Sequence, residues 1–153
     1  MKIPSSEISQ SLEFHFQDYN AFPFPEDNIR KWILFLIESE NEKAGVLNFI
    51  FCSDDFLYAI NNEYLQHDTL TDTITFDYSE QFASISGDIF ISIDRIKENA
   101  DNFAKPFMNE LCRIIAHGVL HICGYGDKQD DEKAVMQSKE NYYLSFAKFL
   151  VNS

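Results

Sequence analysis

The sequence predicts a layered α/β or α+β domain built around a small mixed β-sheet. Two observations support this fold class. Strand-like and helix-like hydrophobic patterns alternate along the chain up to Asp94, and only helical patterns follow. The 153 residues are 45% hydrophobic and 15% aromatic, which is enough apolar material for one packed core. Because no linker-like segment interrupts the patterns, we expect a single domain over residues 1–153.

The first three predicted elements are a strand, a helix and a second strand. Ser11–Gln17 alternates apolar and polar residues, as a half-buried strand does. Pro25 and the acids after it begin a helix. Its apolar residues recur at helical spacing: Ile29, Trp32, Ile33, Leu36 and Ile37. Gly45–Cys52 is rich in β-forming residues, which favours a buried strand.

A second helix and two further strands come next. Ser53 precedes two acids and is a suitable N-cap. The apolar stripe predicted for this helix consists of Phe56, Ile60 and Tyr64. A polar connection over residues 65–72 leads to the strand Thr73–Asp77, and Gly87–Asp94 forms another strand.

The last third of the chain is predicted to be helical. One helix starts at about Asp94, Pro106 suits the first position of the next, and Gly124 is typical of a helix end. A final helix begins near Asp130. The residues predicted to face the core from this helix are Val135, Tyr142, Phe146 and Phe149 or Leu150.

The composition restricts the class of function. With 25 acids against 12 bases, the net charge of −13 opposes unassisted binding to nucleic acids, whose affinity depends largely on phosphate neutralisation. A local basic groove or a bound cation can supply that neutralisation. No segment is apolar for long enough to cross a bilayer, and three cysteines are too few for a disulfide framework. We therefore expect a cytoplasmic protein with reduced thiols.

The stretch from His117 to Lys128 contains a candidate metal site. His117 and His121 stand four residues apart near the end of a predicted helix, so both imidazoles project from one face. This spacing lets two histidines bind one metal ion, as in zinc hydrolases. The alternative is that one or both are ordinary core or surface histidines.

A catalytic zinc site needs a third protein ligand and an open position for water. Gly124 ends the helix and Gly126 allows the chain to fold back, so Asp127 is the nearest residue that can return with a suitable oxygen. Cys123 lies about 200° around the helix from His121 and is interpreted, like Cys112, as a packing residue. Asp130 and Asp131 are interpreted as acids at a helix start.

Gly118 restricts the reactions that such a metal site could catalyse. Zinc proteases with two histidines at this spacing carry a glutamate directly after the first, as general base. Gly118 occupies that place, so a peptidase of this design would lack its base. Another proton acceptor, either Asp127 or the substrate itself, would then be needed for a metal-bound water.

Residues 117–128 resemble the signature of the YbeY family, bacterial rRNA maturation factors and predicted zinc-dependent endoribonucleases. The matching positions are His117, Gly118, Leu120, His121, Gly124 and Tyr125. A second segment is similar at Thr71, Asp72 and Phe76, and a third at Gly87–Ser92. The resemblance extends from about Ile60 to the last helix.

The resemblance implies an α/β sandwich with a four-stranded mixed sheet, to which the patterns above add about five helices. It implies a single YbeY-like metal-binding domain with one Zn²⁺ ion held by His117, His121 and Asp127. The expected activity is single-strand-specific endoribonuclease cleavage in 16S rRNA 3′-end maturation and ribosome biogenesis. The expected partners are rRNA, the small ribosomal subunit and its assembly proteins, without membrane or DNA.

Two positions depart from the family pattern. Asp127 stands where the family has its third histidine, and carboxylate oxygen is also a zinc ligand. Leu65 stands where the family has an arginine thought to handle RNA, with only His67 nearby. Two other functions stay open: a metal-dependent hydrolase of a peptide or small ester, and a ribosome-assembly factor with a structural zinc. Water and the ribose 2′-hydroxyl are both possible nucleophiles.

Several further residues have two interpretations each. The resemblance implies that Thr71, Asp72 and Thr73 line the metal cleft, whereas their chemistry also suits a turn. Asp88 could hold a ligand histidine through a hydrogen bond, although capping of a local turn is favoured. Glu110 lies two turns before His117 on the same helix face and could approach the site, although a solvated acid is favoured. Tyr125 is expected to pack and hold the turn between the ligands.

Overall fold

Four strands form one mixed sheet in the computed structural model, which describes residues 11–65, 71–79 and 84–150. The strands are β1 (Ser11–Gln17), β2 (Ala44–Cys52), β3 (Thr73–Asp77) and β4 (Ile85–Ser92). Their order in the sheet is β1-β2-β4-β3. The pairs β1–β2 and β2–β4 are parallel, whereas β3 runs antiparallel to β4 at the edge. The expected four-stranded mixed sheet is confirmed.

Five helices lie among the described residues, close to their predicted places. They are α1 (Glu26–Ser39), α2 (Asp54–Leu65), α3 (Ile93–Asn102), α4 (Phe107–Ile122) and α5 (Asp130–Leu144). The Ser53 hydroxyl caps α2 as predicted, since it accepts a hydrogen bond from the Phe56 N–H at 3.1 Å. None of these helices is long and apolar enough to span a membrane.

The sheet has two unequal cores, one on each face. The larger one joins β2 and β4 to α1, α4 and α5, and its fully buried strand residues are Leu47, Phe49, Phe51, Ile89 and Ile91. The smaller one lies under α2 and is formed by Cys52, Leu57, Ile60 and Ile74. Because side chains alternate along a strand, the two sets project from opposite faces, and the layered fold class is confirmed.

Helix α4 approaches the sheet closely at Gly118. A Cβ atom placed on Gly118 would lie 2.8 Å from Cγ2 of Ile89 in β4, which is closer than carbon atoms pack. Ile89 is fully buried, so it has little room to move away. A side chain at position 118 would therefore point into the sheet, on the side of the helix away from solvent.

The predicted core face of the last helix is wrong. Three residues expected inside are exposed by 43–54%: Val135, Tyr142 and Phe146. The buried positions of α5 are instead Met136, Glu140 and Tyr143. The buried stripe contains a carboxylate while apolar side chains lie outside, so hydrophobicity alone gives the wrong phase. After α5, Phe149 and Leu150 both pack against the core while partly buried, where one of the two was predicted.

The predicted stripe of α2 is also partly wrong. Tyr64 is 64% exposed, and Leu57 occupies the fully buried position beside Ile60. Tyr64 lies at the end of the helix, where its ring meets Phe76 edge-on with 6.2 Å between centroids. Most of the predicted connection before β3, including His67, lies outside the described residues.

Candidate metal centre

The last two turns of α4 bring the two histidines together. The Nε2 atoms of His117 and His121 lie 3.1 Å apart, and their rings are nearly perpendicular at 86°. The helix is anchored by a stripe of fully buried residues against the sheet: Leu111, Ile115, Ala116, Val119 and Leu120. Because these residues fix the rotation of α4, the two imidazoles point away from the core on its partly exposed side.

A tight turn returns Asp127 to the histidines. The N–H of Tyr125 donates to the carbonyl of Leu120 and the N–H of Gly124 to that of His121, both at 3.0 Å, which together form a Schellman motif. Gly124 adopts the left-handed conformation that this motif requires, with φ of +113°. The chain then reverses, and Oδ2 of Asp127 lies 3.3 Å from Nε2 of each histidine.

The three ligand atoms form a nearly equilateral triangle that fits a tetrahedral metal ion. Its sides are 3.1, 3.3 and 3.3 Å. In a tetrahedral zinc site with bonds of about 2.0–2.1 Å, ligand atoms lie about 3.3–3.4 Å apart. The side chains of His117, His121 and Asp127 are 18, 28 and 39% exposed, so water can reach the remaining position. In the described part of the chain, only these residues form a group of three His, Cys, Asp or Glu side chains close enough to hold an ion.

Glu140 of α5 orients His117, the first candidate ligand. Its Oε2 atom lies 2.7 Å from Nδ1 of His117, while Arg113 donates from Nη1 to Oε1 at 2.9 Å. The Glu140 side chain is 10% exposed. A carboxylate at Nδ1 keeps the proton on that nitrogen and leaves the Nε2 lone pair free for a metal. The sequence prediction missed Glu140, because its position on the buried face of α5 is known only from the structure.

The groups around His117 favour the protonated, positively charged form of its ring. Burial lowers the pKa of His117, but the hydrogen bond and the charge of Glu140 outweigh that effect. The charges of Asp127 and Asp72 act in the same direction, so the pKa of His117 is raised above its ordinary value. Asp72 is therefore near enough to act on the site electrostatically, while Thr71 donates locally to the Thr73 carbonyl, as a turn residue does.

Glu40 holds the return turn in place. The Tyr125 hydroxyl donates to Oε1 of Glu40 at 2.6 Å, and Lys139 donates to Oε2 at 3.0 Å. Tyr143 donates a further hydrogen bond to the same carboxylate. The residue just after α1 thereby links the turn that carries Asp127 to helix α5. Tyr125 holds this turn as expected, but the sequence did not indicate its partner.

Two other sequence interpretations are wrong. Glu110 is 8% exposed rather than solvated, because α4 turns that side chain towards α5. Within the part of the chain that the structure describes, Asp88 neither caps a turn nor contacts a candidate ligand histidine. It accepts hydrogen bonds from Asn48 at 3.1 Å and Tyr78 at 3.4 Å, and so links elements within the sheet.

The cysteines agree with their predicted packing role. All three are free thiols. Burial, as the main cause, raises the pKa of Cys112 and of Cys123 to about 12. Since the thiolate is the reactive and metal-binding form, neither thiol is poised to act at neutral pH.

The fold and the site define a class: an α/β sandwich protein with two histidines on the last turns of a helix and a carboxylate returned by the following turn. Comparison with known proteins identifies the family within that class. The sequence model described as "Endoribonuclease YbeY" matches residues 15–148. The chain therefore belongs to the YbeY family.

Individual relatives agree over most of the chain. A protein of Flavobacterium psychrophilum named Endoribonuclease YbeY is 53% identical over 119 residues, covering 78% of this chain and 84% of its own. The protein of the same name from Karelsulcia muelleri is 49% identical over 141 residues, covering 92% and 96%. Among solved structures, the solution structure of TM1509 from Thermotoga maritima shares the fold with a TM-score of 0.63. It is 22% identical and covers 90% of this chain and 89% of its own.

Proposed function

We propose that this protein is a zinc-dependent endoribonuclease that cleaves single-stranded RNA during 16S rRNA 3′-end maturation and ribosome biogenesis. The main support is the triangle of two Nε2 atoms and one carboxylate oxygen in a chain of the YbeY family. Relatives that are 53% and 49% identical carry the name endoribonuclease.

His117, His121 and Asp127 are the proposed ligands of one Zn²⁺ ion. Two imidazole nitrogens and one carboxylate are a donor set that zinc hydrolases use, and three protein ligands leave a position for water or substrate. When bound, the metal would polarise a phosphodiester oxygen, lower the pKa of a bound water, or do both. Replacement of the family's third histidine by Asp127 makes the donor set harder without removing a ligand.

The protein's own residues would position and tune this site. Glu140 holds the proton on Nδ1 of His117, and Arg113 keeps the Glu140 carboxylate in place. The second oxygen of Asp127 would accept a proton from the attacking group. Gly118 fits a nuclease better than a peptidase, because the glutamate of the zinc proteases would clash with Ile89 at this position.

The proposed setting is the cytoplasm, with rRNA of the small ribosomal subunit and its assembly proteins as partners and neither membrane nor DNA involved. Support comes from the family and from the three free cysteines, which suit a reducing compartment. We propose further that residues 1–153 act as a single metal-binding domain.

The proposed function is tested by replacing both histidines. We expect His117→Ala/His121→Ala to lose zinc and to stop cleaving a labelled single-stranded RNA, whereas the wild type holds about one zinc per chain. His15→Ala is the matched control, since His15 is exposed and lies on β1. Retention of full zinc by the double variant would sink the metal site. If the double variant loses zinc but the zinc-loaded wild type cleaves no RNA, the result would support the ribosome-assembly factor. If the wild type instead cleaves peptides, the result would support the other metal-dependent hydrolase.

A further inference from the structure

A groove of about 610 Å³ opens beside the candidate metal site. His117 and Asp127 lie on its wall, as do Phe103 and Lys105 from the loop between α3 and α4 and Lys133 from α5. Its volume lies within the range of ligand sites, about 300–1,000 Å³. Larger hollows of about 870 and 680 Å³ exist elsewhere on the described surface, but neither is lined by a residue of the triad.

The groove is less acidic than the rest of the protein. It contains three acidic side chains and three basic ones: Glu110, Asp127, Glu140, Lys105, Arg113 and Lys133. These charges balance in the groove, whereas the whole chain carries −13. A divalent ion at the triad would add two positive charges. The metal-loaded groove is therefore a positive path on a negative protein, which concentrates a polyanion there.

Two of the basic side chains are free to bind phosphate. Within residues 11–65, 71–79 and 84–150, neither Lys105 nor Lys133 forms an ion pair, and both are exposed. Arg113 differs, because Glu140 and Asn141 accept its hydrogen bonds at 2.9 and 2.7 Å. Arg113 thus holds the wall of the groove, while the lysines remain available to a ligand.

Phe103 is an exposed aromatic residue on a fixed backbone. Its side chain is 63% exposed beside the groove. The loop that carries it ends α3 in a Schellman motif, in which Lys105 N–H donates to Ala100 at 2.9 Å and Ala104 N–H to Asp101 at 3.3 Å. Ala104 adopts a left-handed φ of +51°, which is uncommon for residues other than glycine. The loop therefore presents Phe103 and Lys105 without a large ordering cost on binding.

We propose that this groove is the path of the single-stranded RNA substrate to the metal site. Lys105 and Lys133 contact backbone phosphates, and a base stacks on Phe103. An aromatic face next to cations is how proteins bind single strands with little sequence preference. The proposal rests on the proposed ribonuclease function and supplies cationic contacts that the position of Leu65 does not.

The test measures RNA affinity separately from cleavage. A labelled 12-nucleotide RNA is titrated with zinc-loaded protein by fluorescence anisotropy over a range of salt concentrations, and a gel confirms that the RNA stays intact. We expect Lys105→Gln/Lys133→Gln to weaken RNA binding about tenfold. The slope of the logarithm of the binding constant against the logarithm of the salt concentration should become shallower by about 1.4, which is about 0.7 for each lost phosphate contact. Lys31→Gln/Lys148→Gln is the matched control, since both lysines line a separate hollow near Trp32.

Phe103 is tested by a pair of variants. We expect Phe103→Ala to weaken binding about tenfold and Phe103→Trp to bind at least as tightly as the wild type, because stacking increases with ring size. Phe146→Ala, at another exposed ring, should leave the affinity unchanged. Zinc content and thermal unfolding should match the wild type in all of these variants.

The results separate a failure of the proposed RNA path from a failure of the proposed ribonuclease function. If the wild type cleaves RNA while the lysine and Phe103 variants bind like the wild type, the groove is overturned and the proposed function stands. If zinc-loaded wild type neither binds nor cleaves RNA, both are overturned. Binding of an acidic peptide in preference to the RNA would overturn the groove as an RNA path.

Discussion

Nδ1 of His117 lies 2.7 Å from Oε2 of Glu140, which joins the first candidate ligand on α4 to the buried face of α5. The same carboxylate binds Arg113, one helical turn before His117. The candidate metal site is therefore built by the packing of two helices as well as by one sequence motif. An oriented carboxylate behind a ligand histidine fixes the tautomer and raises the basicity of the ring.

Glu140→Gln should weaken zinc binding about 10- to 100-fold, because the amide loses the charge that supports His117 as a ligand. The measurement is zinc affinity by competition with a chromogenic chelator. Glu13→Gln, at an exposed position on β1, serves as control. Unchanged affinity in Glu140→Gln would show that Glu140 only packs the two helices together.

Asp127→Ala should lower zinc affinity by more than about 100-fold, since a lost ligand costs more than a lost supporting group. Asp127→His should restore binding, because imidazole at this place recreates the family pattern. Both effects are read from zinc content after dialysis and from rRNA 3′ ends in cells. Asp130→Ala is the control, as an exposed acid three residues further along. Normal zinc content in Asp127→Ala would remove Asp127 from the ligand set.

Local features of the sequence predicted which three side chains come together, while their role as metal ligands stays a prediction. The spacing of His117 and His121 and the helix-ending role of Gly124 are short-range properties, and the structure brings Asp127 to the place that the turn predicted. The order of strands and helices was accessible for the same reason, because hydrophobic period and cap residues act within a few positions.

Long-range partners could not be predicted in the same way. Glu40 and Tyr125 are 85 residues apart, and no local pattern pairs a residue after α1 with a turn after α4. Glu140 was missed because a buried carboxylate interrupts the hydrophobic stripe of α5. For the same reason Val135 and Tyr142 were wrongly predicted to face the core, and both are exposed.

Glu40→Gln should destabilise the protein by about 2–3 kcal/mol at neutral pH, because one side chain serves two tyrosines and a lysine. The Glu40 side chain is 7% exposed, so water does not replace these partners easily. The free energy of unfolding by urea is the measurement. Glu38→Gln, in the same stretch but exposed, should change it by less than about 0.5 kcal/mol. Equal stability of both variants would contradict the role assigned to Glu40.

The Glu40 carboxylate should also make the folding stability of the protein sensitive to acid. Burial acts to raise the pKa of Glu40, but hydrogen bonds from Tyr125 and Tyr143 and the hydrogen bond and charge of Lys139 outweigh it and lower the pKa below 4.5. The unfolded state then binds the proton more readily, so the contribution is complete above pH 4.5 and is lost as pH falls through the folded pKa. The stability difference between wild type and Glu40→Gln should therefore shrink below pH 4.5, as urea titrations at several pH values can show. A constant difference would rule out this linkage.

Gly118→Ala should destabilise the protein by about 1 kcal/mol, although alanine is the better helix former. The added methyl meets Ile89 Cγ2 at 2.8 Å, and overpacking of about 1–3 kcal/mol exceeds the helix gain of about 1 kcal/mol. Gly118→Glu should unfold the protein rather than create a peptidase, because its carboxylate would be driven into the sheet. Thermal unfolding measures the stability of both variants. In a double-mutant cycle, Gly118→Ala should destabilise the Ile89→Ala protein less than it destabilises the wild type, because the clashing side chain is gone. A Gly118→Glu protein that folds stably and cleaves peptides would show instead that α4 can turn position 118 towards the metal.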